Sequence, residues 1–305
     1  MPSLKAIRKR IASTKSTQKI TRAMKMVAGA KLTRAQQRIV AMRPYAVKTG
    51  EVLHSVARTM AGSPENDPVH PLLARRPEKK ALVLVLSADR GLCGAFNTNI
   101  NKTAERVRDE KREAGVDVVF ATLGRKGREY LNRRGATLVQ DFPKIYEGLD
   151  LEKARLVAKW LVPRYEKGEV DSVYLVYNEF KSAITQKVTL EPLLPLAPLA
   201  PMGDPGKGDA LAGAERIGPS DFIYEPNQRA LLERLVPMYV EISLYRALLE
   251  SQASFFGAQM TAMDSATRNA KEMIARLTLS YNRARQAAIT KELMEIIGGA
   301  EALKD

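Results

Sequence analysis

The chain has 305 residues, 45% hydrophobic but only 6% aromatic, with one cysteine, two histidines and a formal charge of +15. Cys93 alone excludes an intrachain disulfide, Cys93 with His54 and His70 is too small a set for a Cys/His zinc site, and no apolar run reaches the ~20 residues of a bilayer-crossing helix. The charge is concentrated: residues 1–50 hold thirteen Lys or Arg and no Asp or Glu, leaving 36 of the 49 basic residues against all 34 acidic ones over 51–305. A single-sign field of that kind is suited to an acidic partner.

Residues 1–60 read as an N-terminal helix running from Ser3 to about residue 58, with an interruption expected at Pro44, where the ring removes a hydrogen bond and crowds the preceding turn. Ile7, Ile11, Thr14 and Gln18 fall on one side of this helix, whereas Ile20, Met24 and Val27 fall on another. Two apolar faces call for two neighbours. Arg8, Lys15, Lys19 and Arg22 cluster within roughly 60° of arc, and Lys31, Arg34 and Arg38 form a second group. A merely solvated face would mix signs. The acid-free start also has the composition of a mitochondrial transit peptide, but it runs without a cleavage-like break into further helical pattern.

Residues 61–80, rich in Pro and charge, read as a linker. Residues 81–196 then alternate as a central Rossmann-like α/β domain should. Ala81–Ala88 is a continuous apolar run, expected of a strand buried on both faces. A helix near Asn99–Glu113, a strand at Val116–Gly124, a helix through Leu131, a strand at Ala136–Phe142 and a helix at Leu151–Glu166 follow. Asp171–Phe180 and Ile184–Leu196 resemble a hairpin joined at Lys181–Ala183. Residues 197–226 form a Pro/Gly-rich connection, and its Met202–Ile217 stretch carries four glycines.

Residues 227–305 are helical again, with Pro237 and Gly257 as the breakers before Ile297. An apolar seam starts Leu231, Leu235, Met238, Ile242, Tyr245, Leu249, Gln252 and Phe256 and continues through Met260, Met263, Ala266, Ala270, Met273, Leu277, Tyr281, Ala284 and Ala288. A period near 3.5 is a coiled-coil signature. Two long helices at opposite ends of a chain pair most simply as an antiparallel coiled coil flanking the central domain.

Chemistry finds little purchase. The glycine-bearing segments Ser87–Asn97 and Leu123–Gly135 match neither phosphate-loop spacing, and Cys93 reads as a small packed side chain. Asp89, Glu179 and Glu191 sit near strand ends, where α/β active sites lie, but nothing in the sequence pairs them. In the stretch Tyr281–Leu303, Asn282, Arg283, Arg285, Gln286 and Thr290 crowd an otherwise apolar helix. They suit either the solvent face of a coiled coil or a helix end enclosed by another protein, with Arg285 and Gln286 donating hydrogen bonds.

At these residues the chain resembles the gamma subunit of the bacterial F-type, proton-translocating ATP synthase, over essentially its whole length. The resemblance rests on IRKRIASTKSTQKITRAMKMVAGAKL (Ile7–Leu32), RPYA (Arg43–Ala46), SADRGLCGAFN (Ser87–Asn97), FIYEPNQRALLERL (Phe222–Leu235), ATRNAKEMI (Ala266–Ile274) and the Tyr281–Leu303 stretch. It implies a non-catalytic central rotor stalk that couples proton-driven c-ring rotation to conformational change and ATP synthesis in a ring of alpha and beta subunits. By the family pattern, Arg8, Lys15, Lys19, Arg22, Met24 and Lys25 lie near an acidic beta-subunit segment, and Arg285, Gln286 and Thr290 meet a beta loop. Tyr224 and Glu225 are expected at the foot, with the epsilon subunit and the c-ring. Nucleotides bind on the ring and not on gamma, so no cofactor, nucleic acid or membrane span is implied for this chain. The absence of a dithiol insertion and of an organellar presequence is expected of a bacterial form, peripheral on the cytoplasmic face of the inner membrane. Two rivals remain from the residues alone. One is a basic coiled-coil protein that binds nucleic acid, although no aromatic residue precedes Tyr45. The other is an α/β enzyme or nucleotide-binding protein with helical arms.

Overall fold

The computed structural model describes residues 3–61, 70–74, 76–196 and 228–301, with backbone alone for 54–61, 228, 229 and 298–301. Ten elements follow in order: α1 (Leu4–Ala61), β1 (Lys80–Leu86), α2 (Phe96–Glu113), β2 (Asp117–Leu123), α3 (Arg125–Arg133), β3 (Leu138–Phe142), α4 (Leu151–Glu166), β4 (Ser172–Phe180), β5 (Gln186–Leu194) and α5 (Gln228–Glu301). A 3-10 turn, Pro71–Leu73, precedes β1. The elements group into two compact units, one from the chain ends up to Ala30 and from Gln259 onward, the other spanning Lys31–Ala258.

The larger unit is built on a five-stranded sheet ordered β3-β2-β1-β4-β5. β1 runs parallel to both β2 and β4, β2 is parallel to β3, and β5 returns antiparallel to β4 as a hairpin. The apolar run of β1 is central and buried along six of its seven residues, as a strand covered on both faces must be. Val83, Val85 and Phe120 pack with Ile100, Ala104 and Val107 of α2 and Leu131 of α3. Local signals start α4: the Asp150 side chain accepts from Lys153 N at 3.0 Å, filling one orphan donor of the first turn. Ser87 draws the ends of β1 and β2 together, because its Oγ accepts from Gly127 N at 2.7 Å and donates to the Gly124 carbonyl at 3.2 Å. Gly124 has φ 108°, and a Cβ there would stand 2.1 Å from the Ser87 carbonyl oxygen, so only glycine fits.

Within this unit α5 is buried on nearly every side from Leu232 to Ser254, which the stripe read from Leu231 to Phe256 does not describe. Leu231, Leu235, Met238 and Tyr245 are only half-buried, while Leu232, Val236, Val240 and Leu244 are fully enclosed. A helix enclosed all round belongs to a core, and its apolar pattern loses the single seam. Polar side chains tie it to the sheet: Ser251 Oγ donates to the Leu86 carbonyl at 3.2 Å and Ser254 Oγ to the Asn178 carbonyl at 2.9 Å. The interruption expected at Pro44 does not occur, since α1 continues through it to Ala61. An interior proline costs a helix about 3 kcal/mol, and here the flanking turns recover it by burial of Ala46, Thr49 and Leu53. Tyr45 Oη donates to Met238 Sδ at 3.5 Å, and Tyr239 lies 3.6 Å from where a Cβ on Gly50 would sit.

The smaller unit consists of two antiparallel helical segments. Thr21 Oγ1 lies 2.8 Å from Thr267 Oγ1, Lys25 Nζ 2.5 Å from Asp264 Oδ1, and Gly29 opposite Met260, so the number on one helix falls as the other rises. On α1 the inward positions are Ile7, Ile11, Thr14, Gln18, Thr21 and Ala28, alternating three and four apart until the last step. On α5 they are Met263, Ala270, Ile274, Leu277, Tyr281, Ala284 and Ala288. Met273, placed in the seam from the sequence, is 54% exposed, and Ile274 takes its place. Between Ala270 and Leu277 the steps run four then three and not three then four, and either order satisfies an average period of 3.5.

Candidate functional site

In the smaller unit Arg8, Lys15, Lys19 and Arg22 are all exposed on α1, and among the described residues none of them forms an ion pair. Met24 and Lys25 are half-buried, and Lys25 is spoken for by Asp264, which also meets Arg268 at 3.4 Å. The hydrogen bond from Lys25 holds the Asp264 carboxyl below its usual range. The second apolar face read from Ile20, Met24 and Val27 is real and largely open: Ile20 is 57% and Val27 55% exposed. On α5, Arg285, Gln286 and Thr290 are exposed, together with Ile289, Leu293, Met294, Ile296 and Ile297. By the antiparallel register, α1 begins opposite the mid-280s, so these last turns have no α1 segment beside them. Five large apolar side chains left in water over three turns mark a surface built to be covered. Tyr224 and Glu225 lie outside the described residues, as do residues 202–217 and the side chain of His54.

The second cationic group behaves differently. In the larger unit Lys31, Arg34 and Arg38 rim a cleft of about 440 Å³ at the C-terminal end of β1, shared with Asp89, Arg90 and the aromatic rings of Phe96, Phe255 and Phe256. Arg38 Nη1 donates to the Leu149 carbonyl at 3.2 Å, and Lys31 Nζ stands 5.6 Å from the Phe256 ring centroid. Tyr146 closes the floor, donating to Ser251 Oγ at 3.1 Å, and burial pushes its phenol well above the usual range. The side chains combine positive charge with flat apolar surface and offer no nucleophile with an adjoining base.

The strand-end carboxylates are engaged structurally. Asp89 Oδ1 accepts from Arg125 N at 3.0 Å and from Lys144 N at 3.4 Å, bracing two loops. Glu179 pairs with Lys181 at 2.5 Å. Glu191, which the sequence left without a partner, receives Arg246 Nη2 and the Tyr177 hydroxyl, the latter at 2.7 Å. Cys93 is buried, accepts from Asn97 Nδ2 at 3.3 Å, and burial raises its thiol, so it is a packed side chain and not a reactive one. Asn97 also receives Ala88 N at 2.9 Å and donates to the Arg90 carbonyl at 3.2 Å, so the glycine-bearing loop closes on itself. His70 is likewise structural: buried, it accepts Leu72 N on Nδ1 at 3.1 Å as the cap of the 3-10 turn. Among the described residues no cluster of His, Cys, Asp or Glu could hold a metal, and no helix is long and apolar enough to cross a membrane. The sequence reading missed Asp264 and Arg246, whose partners lie 239 and 55 residues away; only the register of the folded elements brings them together.

The larger unit holds a mostly parallel sheet braced by a buried helix, and the smaller a helical pair whose exposed cationic and apolar faces, among the described residues, suit contact with other chains. The sequence matches the ATP synthase family over residues 3–303. ATP synthase gamma chains are similar throughout: that of Sorangium cellulosum is 56% identical and that of Geotalea uraniireducens 48%, each covering 100% of both chains. Among solved structures, the central stalk of the Tetrahymena thermophila mitochondrial ATP synthase aligns with TM-score 0.58 at 25% identity, covering 81% of this chain and 99% of that one. A chain of the Euglena gracilis mitochondrial enzyme aligns with TM-score 0.63 at 18% identity, over 98% and 94%, and supports the fold alone. The chain belongs to the ATP synthase gamma-chain family, the central-stalk subunits of F-type ATP synthases.

Proposed function

We propose that this chain is the turning shaft of a bacterial F-type ATP synthase: a non-catalytic subunit that carries rotation from a membrane c-ring into a ring of alpha and beta subunits, with the epsilon subunit at its foot. It sits peripherally on the cytoplasmic face of the inner membrane, and nucleotides bind elsewhere in the assembly. The observation that carries this reading is the uncovered arm. Among the chain's described residues Arg8, Lys15, Lys19 and Arg22 have no acid to meet, and the apolar side chains of Ile20, Ile289, Leu293, Met294, Ile296 and Ile297 stay exposed. Those cations, with Met24 and Lys25, meet an acidic beta segment, and Arg285, Gln286 and Thr290 meet a beta loop. Tyr224 and Glu225 belong to the epsilon and c-ring contact.

Loose contact is the physical requirement. Exposed ion pairs are worth ~0–1 kcal/mol and fade beyond a Debye length of ~8 Å. A row of them guides a moving surface without trapping it at one angle, whereas a deeply desolvated interface would hold one angle and stall.

The test is charge reversal in the assembled enzyme. Changing Arg8, Lys15 and Lys19 together to Glu should leave the chain folded but cut ATP-driven proton pumping in reconstituted membranes several-fold, through poor assembly or slippage. Pumping at the wild-type rate would defeat the proposal. Tight binding of duplex DNA by the full chain, falling steeply with salt, would favour the nucleic-acid reading instead.

A further inference from the structure

Inside the larger unit one guanidinium serves two carboxylates. Arg246 of α5 donates through Nη2 to Glu191 Oε1 on β5 and through Nη1 to Glu250 Oε1 at 3.2 Å. Nη1 also reaches the Tyr177 hydroxyl on β4 at 3.2 Å, and that hydroxyl donates to Glu191 Oε2 at 2.7 Å. Both oxygens of Glu191 are therefore engaged. Glu250 Oε2 and Arg246 Nε, in contrast, are buried without a hydrogen-bond partner.

The remaining charge facing this cluster comes from β4, where Glu179 is already paired with Lys181. Tyr177 and Tyr239 are neutral phenols whose burial keeps them so. The inventory is thus one cation against Glu191 and Glu250, with a neutralised pair beside them. Leaving both carboxylates ionised would bury an excess negative charge with a bare oxygen, a strongly unfavourable arrangement in a protein interior. A protonated carboxyl at that position costs far less.

We infer that Glu250 holds a proton in the folded protein at neutral pH, making the joint between α5 and the β4–β5 hairpin a proton-dependent contact. Burial drives the Glu250 carboxyl upward, the Arg246 charge opposes it, and Glu179 adds to the rise. A carboxyl raised in the folded state contributes stability that is complete below its unfolded pKa and is lost as pH climbs through its folded one. The joint therefore weakens on alkalinisation.

Infrared spectroscopy of the full chain tests this directly. At neutral pH the spectrum should contain the carbonyl stretch of a protonated carboxylic acid, absent from Glu250→Gln. Glu250→Gln should also match the wild type near pH 5 and exceed its melting temperature increasingly toward pH 9. Should that variant fail to fold, Glu191→Gln serves in its place: it leaves Arg246 wholly to Glu250, which then ionises, and the band disappears. A band that survives in whichever variant folds, or a wild-type spectrum without one at neutral pH, overturns the inference. So does a Glu250→Gln melting temperature that stays below the wild type at every pH.

Discussion

The two units solve opposite problems with the same two helices. In the larger one, α5 is buried against the sheet, and its Ser251 and Ser254 bond to specific strand carbonyls. In the smaller one, the same helix has a narrow buried stripe and most of its surface in water. The first arrangement concentrates stability and tolerates little change. The second contributes little to stability and leaves its surface free for other chains. On the proposed function, stability and partner contact are carried by different residues, and substitutions should separate them.

The sharpest contrast sets Leu84 against Ile20. Leu84 is fully buried on the central strand, and Leu84→Ala should cost about 3 kcal/mol in a denaturant titration of the full chain, within the range for core truncations. Ile20→Ala should stay within about 0.5 kcal/mol, although Ile20 is larger than many core residues. Equal losses at the two sites would erase the distinction. Gly124→Ala should rank with Leu84→Ala, because its Cβ would collide with backbone that cannot move aside.

A smaller effect follows from removing residues 290–305. The deletion should leave the circular dichroism of the larger unit and the main melting transition in place while impairing ATP-driven pumping. Loss of the folded sheet would mean that the arm stabilises more than itself. Smaller again is the acid response of His70. Burial lowers its pKa from 6.5, so its contribution is complete above that unfolded value and lost as pH falls through the folded one. Wild-type melting temperature should therefore drop as pH falls below about 6.5 relative to His70→Asn, which can still cap the turn. Parallel curves would remove the cap from the account. The smallest effect belongs to Asp264→Asn: its pair with Lys25 is partly exposed, and the melting temperature should be unchanged within error at high salt.

Much of this was legible in the residues because short-range rules govern it. The buried β1 declares itself by an unbroken apolar run, and the hairpin by two strand-like segments around a short turn, which spans residues 181–185 in the fold and not the three read at Lys181–Ala183. The unpaired face of α1 is readable because no acid exists in its first fifty residues. What could not be read depends on distance. Pro44 looks like a stop until Ala46 and Leu53 are found buried, so tertiary burial overrides the local cost. Met273 and Ile274 compete equally until the helix phase is fixed by its neighbour. Arg246 is one cation among 49 basic residues, and nothing near it in sequence announces Glu191. The contact residues proposed at the tip rest on family likeness and on the exposure of the apolar side chains around them, which only the folded chain displays.

The side chains of Ser251, Gln252 and Ser254 have a mechanical corollary. Each donates to a main-chain carbonyl, of Leu86, Tyr146 and Asn178 respectively, and such bonds have direction where apolar packing has none. Greasy surfaces slide past each other under twist; these three bonds act like the splines of a hub. Turning α5 about its own axis inside the larger unit would have to break them together, so torsion applied to the sheet reaches the helix without slip.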